Sequence, residues 1–128
     1  MMLNKILCVD DATDIRAVLQ IALEMIGGFE VCLCASGKEA LEKGPNFKPD
    51  LILLDVLMPE MSGPETLKAL RDMDQLAEIP VIFMTGQNRL DEIDALTQQG
   101  SIGVITKPFQ PTELANQIKT LWTQHPEA

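Results

Sequence analysis

The sequence predicts an α/β domain in which a five-stranded parallel sheet carries five helices distributed over both faces. Three observations lead there. Short apolar runs of strand length alternate five times with longer stretches of helical period. The connections between them span only a few residues, which favours right-handed crossovers between parallel strands. Four of the runs also show little polar alternation, the pattern of strands buried on both faces.

The first run, Ile6 to Val9, stops at Asp10-Asp11. Ile15, Val18, Leu19, Ala22, Leu23 and Ile26 then form one apolar stripe at helical spacing, ended by Gly27-Gly28. Phe29 to Ala35 is different: Phe29, Val31, Leu33 and Ala35 alternate with Glu30, Cys32 and Cys34, as expected of a less enclosed strand near a sheet edge. Ser36 with Glu39 is a capping-box signature for a second helix through Ala40 and Leu41, ending near Gly44-Pro45, with Phe47 packed beneath the next turn. Leu51 to Leu54 is the third strand, and a third helix follows the Ser62-Gly63-Pro64 turn through Leu67 and Leu70. Val81 to Met84 is the fourth strand. A fourth helix is expected from near Asn88, with Leu90, Ile93 and Leu96 on its apolar face before Gly100. Ile102 to Ile105 is a weaker fifth strand. The last helix uses Leu114, Ile118, Leu121 and Trp122, which periodicity assigns mostly to the core, and it ends near Gln124. One domain over residues 1–124 and a polar tail at 125–128 are expected.

Composition narrows the function classes. Ten Lys and Arg face nineteen Asp and Glu, a net charge of −9, so a polyanion such as nucleic acid or an anionic membrane face is repelled. Neither is expected as a direct partner. No apolar run approaches the roughly 20 residues of a membrane helix, and the amino end does not resemble a signal peptide, so the expectation is a soluble cytoplasmic protein. Cys8, Cys32 and Cys34 sit in apolar surroundings without the further Cys or His a zinc site needs, and they read as reduced, buried thiols. The single histidine, His125, is close to the carboxyl end, which argues against chemistry that needs an internal histidine.

In open parallel sheets ligands bind beyond the carboxyl ends of the strands, so the residues directly after each apolar run are the informative ones. They are Asp10 and Asp11, Asp55, Thr85, and Thr106 with Lys107. Three carboxylates in a partly dry crevice repel one another unless a cation compensates or they take up protons. Oxygen donors without His or Cys point to Mg²⁺ or Mn²⁺, and Mg²⁺ commonly shares its shell with a phosphate. Asp55, at the central strand end, is then placed to attack a phosphoryl group whose charge the metal and Lys107 neutralise, with Thr85 donating to the same oxygens. Each residue also has a plainer reading: Asp10 and Asp11 as helix caps, Asp55 as a turn residue, Lys107 as a solvated loop lysine. Their joint placement on one sheet edge favours the chemical one.

Four segments, Val9-Asp10-Asp11, Leu53 to Gly63, Val81 to Gly86 and Thr106-Lys107-Pro108-Phe109, together resemble the receiver domain of two-component response regulators over essentially the whole chain. The resemblance implies a flavodoxin-like doubly wound fold with strand order 2-1-3-4-5. It implies that Asp55 accepts a phosphoryl group from a histidine kinase or a histidine phosphotransfer protein. Asp11, Asp55 and the backbone carbonyl of Leu57 would be direct Mg²⁺ ligands, with Asp10 acting through water. Lys107 would pair with the phosphorylated aspartate, precede a cis proline bond, and Thr85 would be the hydroxyl that moves toward the phosphoryl group. The output would appear on the face of helix 4, strand 5 and helix 5, toward a downstream protein that the sequence does not name. Such a chain is a signalling phosphoacceptor rather than an enzyme, acting only on its own phosphorylation and dephosphorylation.

One departure stands out. Where many receivers carry a Tyr or Phe three residues before the lysine, this chain has Val104, so aromatic rotation is not its readout. Displacement of the Gly86 to Asn88 loop and the fourth helix is the expected substitute. Leu57, two residues after Asp55, offers no hydrogen bond to an attacking water, whereas Gln87 could orient one; a comparatively long-lived acyl phosphate is expected. Leu57 also argues against a haloacid-dehalogenase-type phosphatase, which needs a second Asp there. The acidic loop Asp10 to Asp14 argues against a flavodoxin-like nucleotide binder, whose loop would be rich in Gly, Ser or Thr. A degenerate receiver that only binds proteins is the stronger rival, although no acidic or lysine position is missing. With so few residues after the last helix, the expectation is a stand-alone receiver or a fragment of a longer protein.

Overall fold

The computed structural model describes residues 2–86 and 95–124. Its sheet contains β1 (Lys5–Val9), β2 (Glu30–Cys34), β3 (Leu51–Asp55), β4 (Val81–Thr85) and β5 (Gly103–Thr106). All pairings are parallel and the spatial order is β2-β1-β3-β4-β5. The helices are α1 (Thr13–Gln20) with a π-helical continuation (Ile21–Ile26), α2 (Gly37–Phe47), α3 (Gly63–Arg71), α4 (95–98) and α5 (Pro111–Gln124). Of the fourth helix expected from Asn88, Leu90 and Ile93 lie outside the described residues.

Alternation along the strands builds two cores. Ile6, Cys8, Leu51, Leu53, Ile82, Met84 and Ile105 face Leu19, Ala22 and Leu23 of the first helix and Leu114, Ala115, Ile118 and Trp122 of α5. Leu7, Val9, Ile52, Leu54, Val81 and Phe83 face Ala40, Leu67, Leu70 and Leu96. The three inner strands are therefore apolar except at their ends, at Lys5, Asp55 and Thr85, and each large side chain withdrawn from water contributes about 1.5–3 kcal/mol. β2 lies at an edge, with Glu30 exposed and Val31 to Leu33 half-buried, as its alternating sequence predicts. Trp122 belongs to the core, and Phe47 packs against the second core from the end of α2.

Three local expectations are corrected. The first helix does not keep its period: Gly27 N–H bonds to the Ala22 carbonyl at 3.1 Å, five residues back, and the wider turn rotates Ile26 out of the stripe to 51% exposure. The second helix does not end at Gly44-Pro45 but runs through Pro45 to Phe47, closed by Lys48 in the left-handed region at φ 55°. A proline disfavours the helical conformation of the residue before it through clashes with that residue's N–H and Cβ, and Gly44 lacks the second of these. The Ser36–Glu39 capping box is displaced: Ser36 Oγ accepts from Glu39 N–H at 3.0 Å, but the Glu39 carboxylate accepts from Ala35 N–H. A complete box occurs instead at α3, between Ser62 and Glu65.

The thiols are free. Burial pushes Cys8 well above the ordinary thiol range, and burial with the neighbouring Cys32 and Glu39 pushes Cys34 up to about 12. Neither is a thiolate near neutral pH. Among the described residues no helix is long and apolar enough to cross a membrane.

Candidate functional site

The site is assembled where β1, β3, β4 and β5 end. In a doubly wound sheet the helices leaving the central strands diverge to opposite faces and open a crevice there. A cavity of about 290 Å³ at this point is lined by Asp10, Asp11, Ala12, Asp55, Leu57, Thr85, Gly86 and Lys107. Asp10, Asp11, Asp55, Leu57, Thr85 and Lys107 are thus brought together, whereas Thr106 is not among the lining residues.

Strand geometry fixes the acidic residues differently. Asp10 is fully buried: its N–H donates to the Cys34 carbonyl at 3.0 Å, and its Oδ1 accepts from Ala12 N–H at 2.9 Å. Asp55 is the last residue of β3, paired in register with Met84 and 5% exposed. Asp11 is exposed at the rim. One oxygen from each of the three carboxylates lies within 4.8 Å of the other two.

Lys107 is the cation of the cluster. Its Nζ donates to Asp10 Oδ2 at 2.7 Å and to Asp55 Oδ1 at 3.1 Å, while its N–H donates to the Thr85 carbonyl at 2.8 Å. The Lys107–Pro108 bond is cis. Burial and the neighbouring Asp10 charge hold the Asp55 carboxyl above the usual aspartate range; Lys107 opposes them without cancelling them. Burial works to lower the Lys107 ammonium, but its bonds to Asp10 and Asp55 outweigh this and raise it. The plain reading of Lys107 as a solvated loop lysine does not describe this geometry.

The loop after β3 is held by a close approach that sequence reasoning passed over. Gly63 N–H donates to the Val56 carbonyl at 2.8 Å, and a Cβ at Gly63 would lie 2.4 Å from the Asp55 carbonyl oxygen. Only a glycine allows α3 to begin against the backbone of Asp55. Glu60, at φ 68°, turns the chain just before it. Leu57 stands exposed on the rim, while Gln87 lies outside the described residues. The cap reading of the first acidic pair is also incomplete: the residue at the helix cap is Ala12, which makes no side-chain cap bond. Arg16, unremarked in the sequence, donates from NH1 to the Asp10 carbonyl at 2.7 Å.

A doubly wound sheet with this acidic crevice and bridging lysine defines a small α/β domain whose site lies at its strand ends. The model of the response regulator receiver domain matches residues 6–119, and the chain belongs to that family. It is 38% identical over 119 residues to the alkaline phosphatase synthesis transcriptional regulatory protein PhoP of Bacillus subtilis, covering 92% of this chain and 48% of that one. Among solved structures, the chemotaxis response regulator CheY4 of Vibrio cholerae superposes with a TM-score of 0.85 at 32% identity, covering 94% of this chain and 99% of that one. A CheY-like receiver domain protein of Methanospirillum hungatei gives a TM-score of 0.82 at 32% identity, over 99% and 100% of the two chains. The chain spans about half the length of the curated relatives it matches.

Proposed function

We propose that Asp55 is the phosphoacceptor of this receiver domain and takes its phosphoryl group from the phosphohistidine of a histidine kinase or histidine phosphotransfer protein. The observation that carries the reading is the cluster itself: three carboxylates share one crevice, and Lys107 bridges the two buried ones. An Asp55 carboxylate oxygen attacks phosphorus, the phosphorus–nitrogen bond to the donor imidazole breaks, and an acyl phosphate remains on Asp55. Lys107 stays within reach of the added oxygens, and the buried Thr85 lines the same cavity as a hydroxyl partner.

The donor set fits Mg²⁺, or Mn²⁺, because every side-chain donor at the cluster is a carboxylate oxygen. Asp11, Asp55 and the Leu57 carbonyl would hold the ion. Asp10 fits an outer role, since both of its oxygens are already engaged by Ala12 N–H and Lys107. When bound, the cation neutralises charge on the transferring phosphoryl oxygens. The reading extends to signalling through α4, β5 and α5 toward a downstream protein. Val104, half-buried against the second core, replaces a rotating aromatic, so the readout passes through the segment after Thr85. That segment continues outside the described residues.

Intact-protein mass after incubation with acetyl phosphate tests the reading. One phosphoryl adduct that needs Mg²⁺ and is absent in Asp55→Asn is expected. No adduct, with no Mg²⁺ binding, would favour a binding-only receiver.

A further inference from the structure

We propose that Arg16 is a positioning residue of the acidic site, holding the Asp10–Asp11 peptide so that the Asp11 carboxylate reaches a divalent cation directly while Asp10 supports it from the outer shell. The inference deepens the function proposed above and rests on it. Arg16 lies half-buried one turn into α1. Its NH1 donates to the Asp10 carbonyl at 2.7 Å and its NH2 to Thr13 Oγ1 at 3.2 Å.

This completes the restraint of Asp10. The N–H is fixed by Cys34, the two carboxylate oxygens by Ala12 and Lys107, and the carbonyl by Arg16. The Asp10 carbonyl belongs to the peptide that leads into the exposed Asp11, so the guanidinium fixes the plane from which the Asp11 backbone starts. A guanidinium suits the task because its donors are fixed in one planar fork and cannot lose their charge. Arg16 also lies near Glu39, whose carboxyl is held below its ordinary range first by the Ala35 N–H, then by Lys43, with Arg16 contributing.

Two roles for this cation predict opposite signs. If Arg16 acted only as a positive charge behind the carboxylates, removing it would leave a more negative site and tighten Mg²⁺ binding. If it positions the ligands, removing it weakens binding, and groups that orient metal ligands typically change affinity by about 10- to 100-fold.

The test is calorimetric titration of Mg²⁺ into the parent chain, Arg16→Ala and Arg16→Lys, with metal-free melting recorded for each. Arg16→Ala is expected to bind Mg²⁺ about tenfold more weakly or worse, and Arg16→Lys, which keeps one charged donor, to recover part of the loss. Unchanged or tighter binding in Arg16→Ala overturns the proposal, including when its melting temperature falls, because a merely structural residue would behave that way. Should Arg16→Ala not fold, Arg16→Lys decides: a loss of about threefold or more supports positioning, and parent-like affinity overturns it. A parent chain that binds no Mg²⁺ overturns the metal reading and this inference together, whereas failure confined to the Arg16 variants leaves Asp55 chemistry standing.

Discussion

Replacing Asp55 by Asn should stabilise the metal-free protein, even though it removes one partner of an ion pair. One oxygen from each of the three carboxylates lies within 4.8 Å of the other two, so at an effective dielectric of about 20 the buried Asp10 repels Asp55 by about 3.5 kcal/mol at that separation, and the exposed Asp11 by less. Lys107, at 3.1 Å, attracts it by about 5 kcal/mol on the same scale. With the exposed Asp11 discounted for solvent screening these Coulomb terms nearly cancel, and burial of the charge, the largest contribution, tips the balance against the ionised carboxylate. Asparagine keeps the shape and an acceptor for Lys107 without the charge, so a gain of about 1–2 kcal/mol is expected, or about 4–8 °C in melting temperature.

Scanning calorimetry in EDTA at neutral pH measures it, and acidification supplies the sign. The folded Asp55 carboxyl lies above its unfolded value. As pH falls through the folded value toward the ordinary aspartate value, the folded parent binds a proton that the unfolded chain does not, and it gains stability. The gap to Asp55→Asn should therefore close over that window. A variant no more stable than the parent in EDTA, or a gap that widens on acidification, would refute the reasoning.

Three further outcomes follow from the same site. Lys107→Met leaves two buried carboxylates without their shared cation and should cost about 3 kcal/mol, at the low end for a broken buried pair because the lysine side chain is 20% exposed. Urea unfolding measures it, and Mg²⁺ should restore more stability to this variant than to the parent; equal stability of the two chains would contradict the assignment of Lys107. Gly63→Ala drives a Cβ into the Asp55 carbonyl and the Val56 backbone, where little can yield, and should destabilise by about 1–3 kcal/mol while weakening Mg²⁺ binding. Leu57→Asn puts a hydrogen-bonding group on the rim and should shorten the lifetime of the acyl phosphate, followed as decay of the adduct mass; an unchanged decay would remove Leu57 from the account.

The sheet was legible because its physics is local. Runs such as Leu51 to Leu54 and Val81 to Met84 have no polar face, so they read as inner strands, and the alternation of Phe29 to Ala35 placed β2 at an edge. The site residues were legible because strand ends in such a sheet converge, whatever the loops do. What escaped depends on geometry that spacing does not encode. The π-helical turn keeps an apolar stripe in the sequence while turning Ile26 outward. Pro45 reads as a terminator until the missing Cβ of Gly44 is considered against its neighbours. Arg16 looks like an ordinary surface cation on α1, and only the direction of its guanidinium reveals the bond to Asp10. The Ser62–Glu65 box is legible in its Ser-x-x-Glu spacing, overlaid by the turn signal of Gly63-Pro64.

The most direct test of the central claim is to locate the phosphoryl group by borohydride reduction. Reducing an acyl phosphate on aspartate converts that residue to homoserine, which peptide mass spectrometry assigns to a position. After incubation with acetyl phosphate and Mg²⁺, the account predicts homoserine at Asp55, with Asp10 and Asp11 unchanged and no conversion when EDTA replaces the metal. Conversion at Asp10 or Asp11, or none at all under conditions that yield a stable adduct mass, would contradict it.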